Sequence, residues 1–106
     1  MSREPWQDWE AEVARDLNLS LTICSGNKAH DPGDAVSRGR GHGWPLYADC
    51  KTTVRGSYSL KATELAQHVE RAADLGKRFV LPLRFVGVAD YAVVTYNDFQ
   101  ELYDRF

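Results

Sequence analysis

The chain has 106 residues, 43% of them hydrophobic and 26% charged, with a formal net charge of −2. That is the length of one domain and the composition of a globular core rather than a disordered chain. The most apolar run, Phe79–Leu83, falls far short of the about 18 residues of a membrane span. The polar N-terminus lacks the apolar stretch of a secretion signal, so a single cytoplasmic domain over 1–106 is expected.

Pro5, with Asp8, Glu10 and Glu12 in the early turns, suits a helix start. Trp6, Trp9, Val13 and Leu17 recur at spacings of three and four and predict an amphipathic helix over 5–17. Leu21–Cys24 reads as a short strand, 25–33 as a loop, and 34–36 as a second strand. Gly39, Gly41, Gly43 and Pro45 turn the chain back into a third strand over 46–53. Ser59 is a suitable cap for a helix over 60–75 with Leu65, Ala66, Val69, Ala72 and Ala73 inward, and Gly76 suits its end. Residues 79–86 form a fourth strand in which Pro82 points to an edge position or a bulge. Residues 91–96 form a fifth, and Asn97 or Asp98 caps a terminal helix. The expected order is α-β-β-β-α-β-β-α.

Charge is unevenly spread. Residues 1–24 and 90–106 are each net −3, whereas 25–61 hold Lys28, Arg38, Arg40, Lys51, Arg55 and Lys61 and are net +3. A basic middle between acidic ends can make a polyanion-facing surface on a mildly acidic protein. Cys24 and Cys50 are expected as buried thiols in a reducing compartment. His30, His42 and His68 stand at no zinc-like spacing from either. The three tryptophans are expected to pack rather than to stack on bases.

Asp49 and Lys51 are two apart on a predicted strand and share a face, with Cys50 on the other. A hairpin would bring Asp34 beside Asp49. Two adjacent carboxylates repel unless a cation neutralises them, and Mg²⁺ is the default hard ion. Lys51 could then orient a water or stabilise charge on phosphorus. On these three residues alone, a turn aspartate and a surface ion pair are the simpler account of the pattern. Arg38, Arg40 and His42 in the glycine-rich turn, and Arg55, Tyr58 and Lys61 after the third strand, form a cluster suited to phosphate contacts.

Gly33-Asp34-Ala-Val36, the glycine-rich turn and Tyr47-Ala-Asp-Cys-Lys-Thr-Thr53 together resemble the PD-(D/E)XK nuclease superfamily, and within it the archaeal and phage Holliday-junction resolvases. The resemblance runs from the first helix to the strand at 91–96. It includes a helical Glu, Ser25-Gly26 after the first strand, and Ser57-Tyr-Ser-Leu-Lys61 leading into the second helix. It implies a restriction-endonuclease-like α/β fold, a central mixed five-stranded sheet flanked by helices. It implies Asp34 and Asp49 as metal ligands with the Cys50 backbone carbonyl, Lys51 as the motif lysine, and Ser25 on a phosphate. The helix glutamate is Glu10 or Glu12. Glu10 sits at the inward edge of the apolar stripe and is preferred, while Glu12 falls with Asp8 and Asp16 on the polar side. Asp49 stands where these resolvases more often carry Glu, one methylene longer.

The expected function is a Mg²⁺-dependent endonuclease, with Mn²⁺ as substitute, that resolves four-way DNA junctions by paired hydrolysis in a phage-infected or prokaryotic cell. The catalytic set is Glu10, Asp34, Asp49 and Lys51. The DNA contacts are Ser25, Lys28, Arg38, Arg40, Arg55, Tyr58 and Lys61. Paired cuts need two sites, hence a homodimer. Neither a membrane nor a small-molecule cofactor is expected. The alternatives are a nickase or repair endonuclease of the same superfamily, and a non-catalytic DNA-binding module.

Overall fold

A computed structural model describes residues 4–21, 35–37 and 44–105. Among these residues it is an α/β structure with three helices and an open sheet. The elements are α1 (Pro5–Leu17), β1 (Leu19–Leu21), β2 (Ala35–Ser37), β3 (Leu46–Ala48), β4 (Lys51–Thr53), α2 (Ala62–Asp74), β5 (Arg78–Phe85), β6 (Ala89–Val93) and α3 (Tyr96–Asp104). Among the described residues, no helix is long and apolar enough to cross a membrane.

β1, β2 and β3 pair antiparallel in sequence. The chain then crosses over through α2 and returns as β5, parallel to both β3 and β4. A parallel neighbour demands such a crossover, and a helix is its usual form. β6 turns back antiparallel on the far side of β5. Gly87, with φ of 79°, makes the tight return possible, and the Val88 N–H closes the turn on the Phe85 carbonyl at 2.8 Å.

The two faces of the sheet hold separate clusters. Trp9, Val13 and Ala14 of α1 bury against Leu19, Ala48, Cys50 and Val80. On the other face Ala72 of α2, with Leu65 and Val69 beside it, covers Tyr47, Phe79, Leu81 and Leu83. Strand alternation explains the split: odd positions of β5 face α2, and Val80 faces α1. Covered on both faces, β5 is buried continuously from Phe79 to Leu83.

Several sequence expectations are corrected. Among the described residues the sheet has six strands, not five, because the strand expected over 46–53 is interrupted at Asp49-Cys50. The register pairs Ala48 with Val80 and Lys51 with Leu83, so Leu81-Pro82 face that interruption. Pro82 has no N–H to give a ladder there. It therefore sits neither on an edge strand nor at a two-for-one bulge. β5 is paired on both sides, and the Pro82 carbonyl accepts from the Trp9 indole N–H at 3.0 Å. α2 starts at Ala62 with Lys61 at its N-cap, so Ser59 does not cap it. Thr95, rather than Asn97 or Asp98, caps α3, its hydroxyl accepting from the Asp98 N–H. Gly76, with φ of 70°, ends α2 as expected. Its N–H reaches the Ala73 carbonyl at 2.9 Å while the Lys77 N–H reaches Ala72 at 2.8 Å.

Trp9 packs as expected, but Trp6 and Leu17 stay largely exposed, because the buried stripe of α1 runs through Ala14 instead. Trp44 lies against the guanidinium groups of Arg78 and Arg105, 4.0 and 5.0 Å from its ring centroid. Trp9 joins a core contact, a buried hydrogen bond and a cation–π contact with Arg84 at 4.3 Å. Trp9→Ala should therefore destabilise the fold by about 3–5 kcal/mol in a denaturant titration. A loss below about 1 kcal/mol would show that α1 is not anchored there.

Arg84 also binds Asp90 through two N–H groups at 2.7 and 2.9 Å, and Glu12 at 2.9 Å. These hydrogen bonds hold the guanidinium firmly protonated and the Asp90 carboxyl below its usual range. A depressed folded pKa stabilises the fold above the unfolded value, about 4. That contribution is lost as pH falls through the depressed value. Asp90→Asn should thus flatten the acid limb of a stability–pH profile below about pH 4. An unchanged limb would show that the pair contributes nothing to it.

Candidate active site

The interruption between β3 and β4 is where the sequence places its chemistry. Alternation turns Tyr47, Asp49 and Lys51 toward α2, and Ala48 and Cys50 toward α1. The expected sharing of a face by Asp49 and Lys51, with Cys50 opposite, therefore holds. The Asp49 N–H still reaches the Val80 carbonyl at 3.0 Å, so the backbone stays tied to β5 through the break.

Asp49 is the one buried charged residue among those described, 6% exposed. Its Oδ2 is shielded from solvent and accepts no hydrogen bond of good geometry. Two nitrogens approach it nonetheless, His68 Nε2 at 3.1 Å and Lys51 Nζ at 3.5 Å. These are electrostatic contacts, and that of His68 is charged only when the ring is protonated. A buried carboxylate is costly unless it is paired or binds a cation. The orphaned oxygen is thus a donor for which a divalent ion is a fitting partner.

His68 has no place among the sequence candidates. It stands on the inward face of α2, three residues after Leu65 and four before Ala72. Its ring stacks on Phe79 with centroids 5.5 Å apart and planes 2° from parallel, and its Nδ1 lies 3.4 Å from the Tyr47 hydroxyl. The signal was available: a histidine at i+3 on an apolar helix stripe must face the sheet.

Asp34 lies outside the described residues. The residue after it, Ala35, pairs with Ala48, the residue before Asp49. Ser25, Lys28, Arg38, Arg40 and His42 also lie outside them, as does Cys24. Glu10 and Glu12 are both half-buried on α1. Glu12 does not project with Asp8 and Asp16 on a polar side as expected. It turns to the sheet and binds the half-buried Arg84 of β5, which also binds Asp90.

Arg55 is exposed after β4, its N–H held by the Thr53 hydroxyl at 3.0 Å. Lys61 is exposed at the start of α2. Tyr58 is half-buried against the α2-side cluster. Burial pushes its hydroxyl pKa up, the charge of Lys51 opposes this, and the charges of Glu64 and Asp49 add to it. Tyr58 therefore belongs to the surroundings of Asp49 and Lys51.

Among the described residues, no three His, Cys, Asp or Glu side chains are grouped to hold a metal ion. Comparison with protein-family models, with curated proteins and with solved structures finds no significant match for this chain.

Proposed function

We propose that the chain is a metal-dependent endonuclease of restriction-endonuclease-like fold that cuts branched DNA, above all four-way junctions, as a homodimer. The observation that carries this reading is the buried Asp49, its Oδ2 without a hydrogen bond and Lys51 beside it, at a break in a central strand. The strand order supports it: three antiparallel strands, a helical crossover, then a parallel strand at the centre. Pairing of Ala35 with Ala48 supports a partnership of Asp34 with Asp49.

Asp34, Asp49 and the Cys50 carbonyl would hold Mg²⁺ or Mn²⁺. A divalent cation bound there supplies an acidified water and polarises a phosphoryl oxygen. Lys51 Nζ would stabilise the negative charge on the non-bridging phosphoryl oxygens as the water oxygen bonds to phosphorus and gives up a proton to solvent. The bond from phosphorus to the 3′ oxygen breaks and that oxygen takes up a proton from solvent, leaving a 3′-hydroxyl and a 5′-phosphate. Arg55, Tyr58 and Lys61, with Ser25, Lys28, Arg38 and Arg40, hold phosphates and place the strand. Two such sites related by a two-fold axis make the paired cuts that resolution needs.

On this reading Glu10 is the helix carboxylate of the site, and Glu12 is engaged by Arg84. Glu10→Gln should slow cleavage by about tenfold or more, and Glu12→Gln by much less. The reverse order in a single-turnover assay would move the role to Glu12.

The proposal is tested by incubating four-way junction, flap, nicked and linear duplex DNA with the protein, with and without Mg²⁺. Metal-dependent cutting that favours the junction supports it. Equal cutting of linear duplex would identify a general nuclease, single-strand nicks alone a nickase, and binding without cutting a non-catalytic module.

A further inference from the structure

Asp49 Oδ2 and His68 Nε2 stand 3.1 Å apart, yet that oxygen accepts no hydrogen bond. The imidazole is fixed by its stacking on Phe79 and by the Tyr47 hydroxyl at Nδ1. Its side chain is 18% exposed and faces an oxygen shut off from solvent. A neutral ring that only propped the carboxylate would turn its Nε2–H onto Oδ2. Two donors to one cation behave differently. At about 2.1 Å from a shared ion they stand roughly 3.0–3.4 Å apart, with lone pairs aimed at the ion rather than at each other. The tautomer this requires carries its proton on Nδ1, where the Tyr47 hydroxyl oxygen accepts it. Such an outer contact commonly orients a ligating histidine.

We propose that His68 is a nitrogen ligand of the divalent cation at Asp49, which gives the site a preference for Mn²⁺, Co²⁺ or Zn²⁺ over Mg²⁺. This rests on the reading of Asp49 as a metal ligand. Carboxylate and carbonyl oxygens serve Mg²⁺ and leave it little use for imidazole, whereas the later first-row ions take imidazole readily. The side chain of His68 thus sets which ion binds best, while the carboxylate of Asp49 sets that an ion binds at all.

Calorimetric titration of the full chain with Co²⁺ and with Mg²⁺, without DNA, separates these roles. His68→Gln and His68→Asn should each lower Co²⁺ affinity by about tenfold or more and Mg²⁺ affinity by less than about threefold. Equal losses for both ions would make His68 a prop for Asp49 and overturn ligation, as would no loss for Co²⁺. Asp49→Asn distinguishes the two levels. If it loses both ions while the His68 variants lose neither, only the nitrogen ligand is wrong. If it binds both ions as the wild type does, the metal centre itself is wrong. The wild-type chain gives a readout that needs no variant: Zn²⁺ should shift the nitrogen-15 resonance of His68 Nε2 far more than that of Nδ1. A larger shift at Nδ1, or none at either nitrogen, would overturn the assignment.

Discussion

Asp49→Asn should reduce cleavage of a four-way junction by about a thousandfold or more while leaving junction binding intact or tighter. The change keeps the side-chain volume and removes the charge that would hold the cation of the proposed site. Loss of the ion forfeits several kcal/mol of transition-state stabilisation, and each 1.36 kcal/mol is about tenfold in rate. Binding is spared because the carboxylate repels phosphate. The fold is spared too. Asp49 is buried with Oδ2 lacking a hydrogen bond, so a neutral amide relieves a desolvated charge in exchange for the electrostatic contacts with His68 and Lys51. Thermal unfolding without metal should occur at the wild-type temperature or above it. A variant that cuts at the wild-type rate would remove Asp49 from the chemistry, and one that unfolds would assign it a structural role through His68 and Lys51.

Lys51→Ala should have the second largest effect, a loss of about 10²–10³-fold in the single-turnover rate with less than about tenfold in binding. The ammonium lies 3.5 Å from Asp49 Oδ2, and the side chain is still 30% exposed, so it can reach a phosphate at the mouth of the site. Lys51→Arg keeps the charge but spreads it over a planar fork, and it should recover little of the rate. Full rescue by Arg would show that Lys51 supplies only general positive potential. Equal losses in binding and rate would make it a DNA contact alone.

The regular elements were legible where side-chain period and punctuation agreed. Pro5 and the Trp9–Val13 spacing set α1, and Gly76 ended α2. The alternation of Asp49, Cys50 and Lys51 puts the two charged residues on one face. The interruption of the strand at Asp49-Cys50 was not legible, because its cause lies in another strand. Pro82 stands opposite, and only the register of β5 against β3 and β4 brings them together. His68 was missed for a related reason. Read for spacing from the cysteines it stands alone, and its partners, Tyr47 of β3, Asp49 of the break and Phe79 of β5, come together only in the fold. Glu12 was misplaced because helical period says which side a residue leaves from. It does not say that Arg84, in a central strand, needs an anion from α1.

The most direct measurement is strand-by-strand mapping of the products from a four-way junction treated with the wild-type protein. With Mg²⁺ the account predicts two symmetrically opposed incisions, each with a 5′-phosphate and a 3′-hydroxyl, and none when the metal is chelated. A protein that binds the junction yet makes no incision with Mg²⁺ or Mn²⁺, or one whose incisions persist undiminished in chelator, would contradict it.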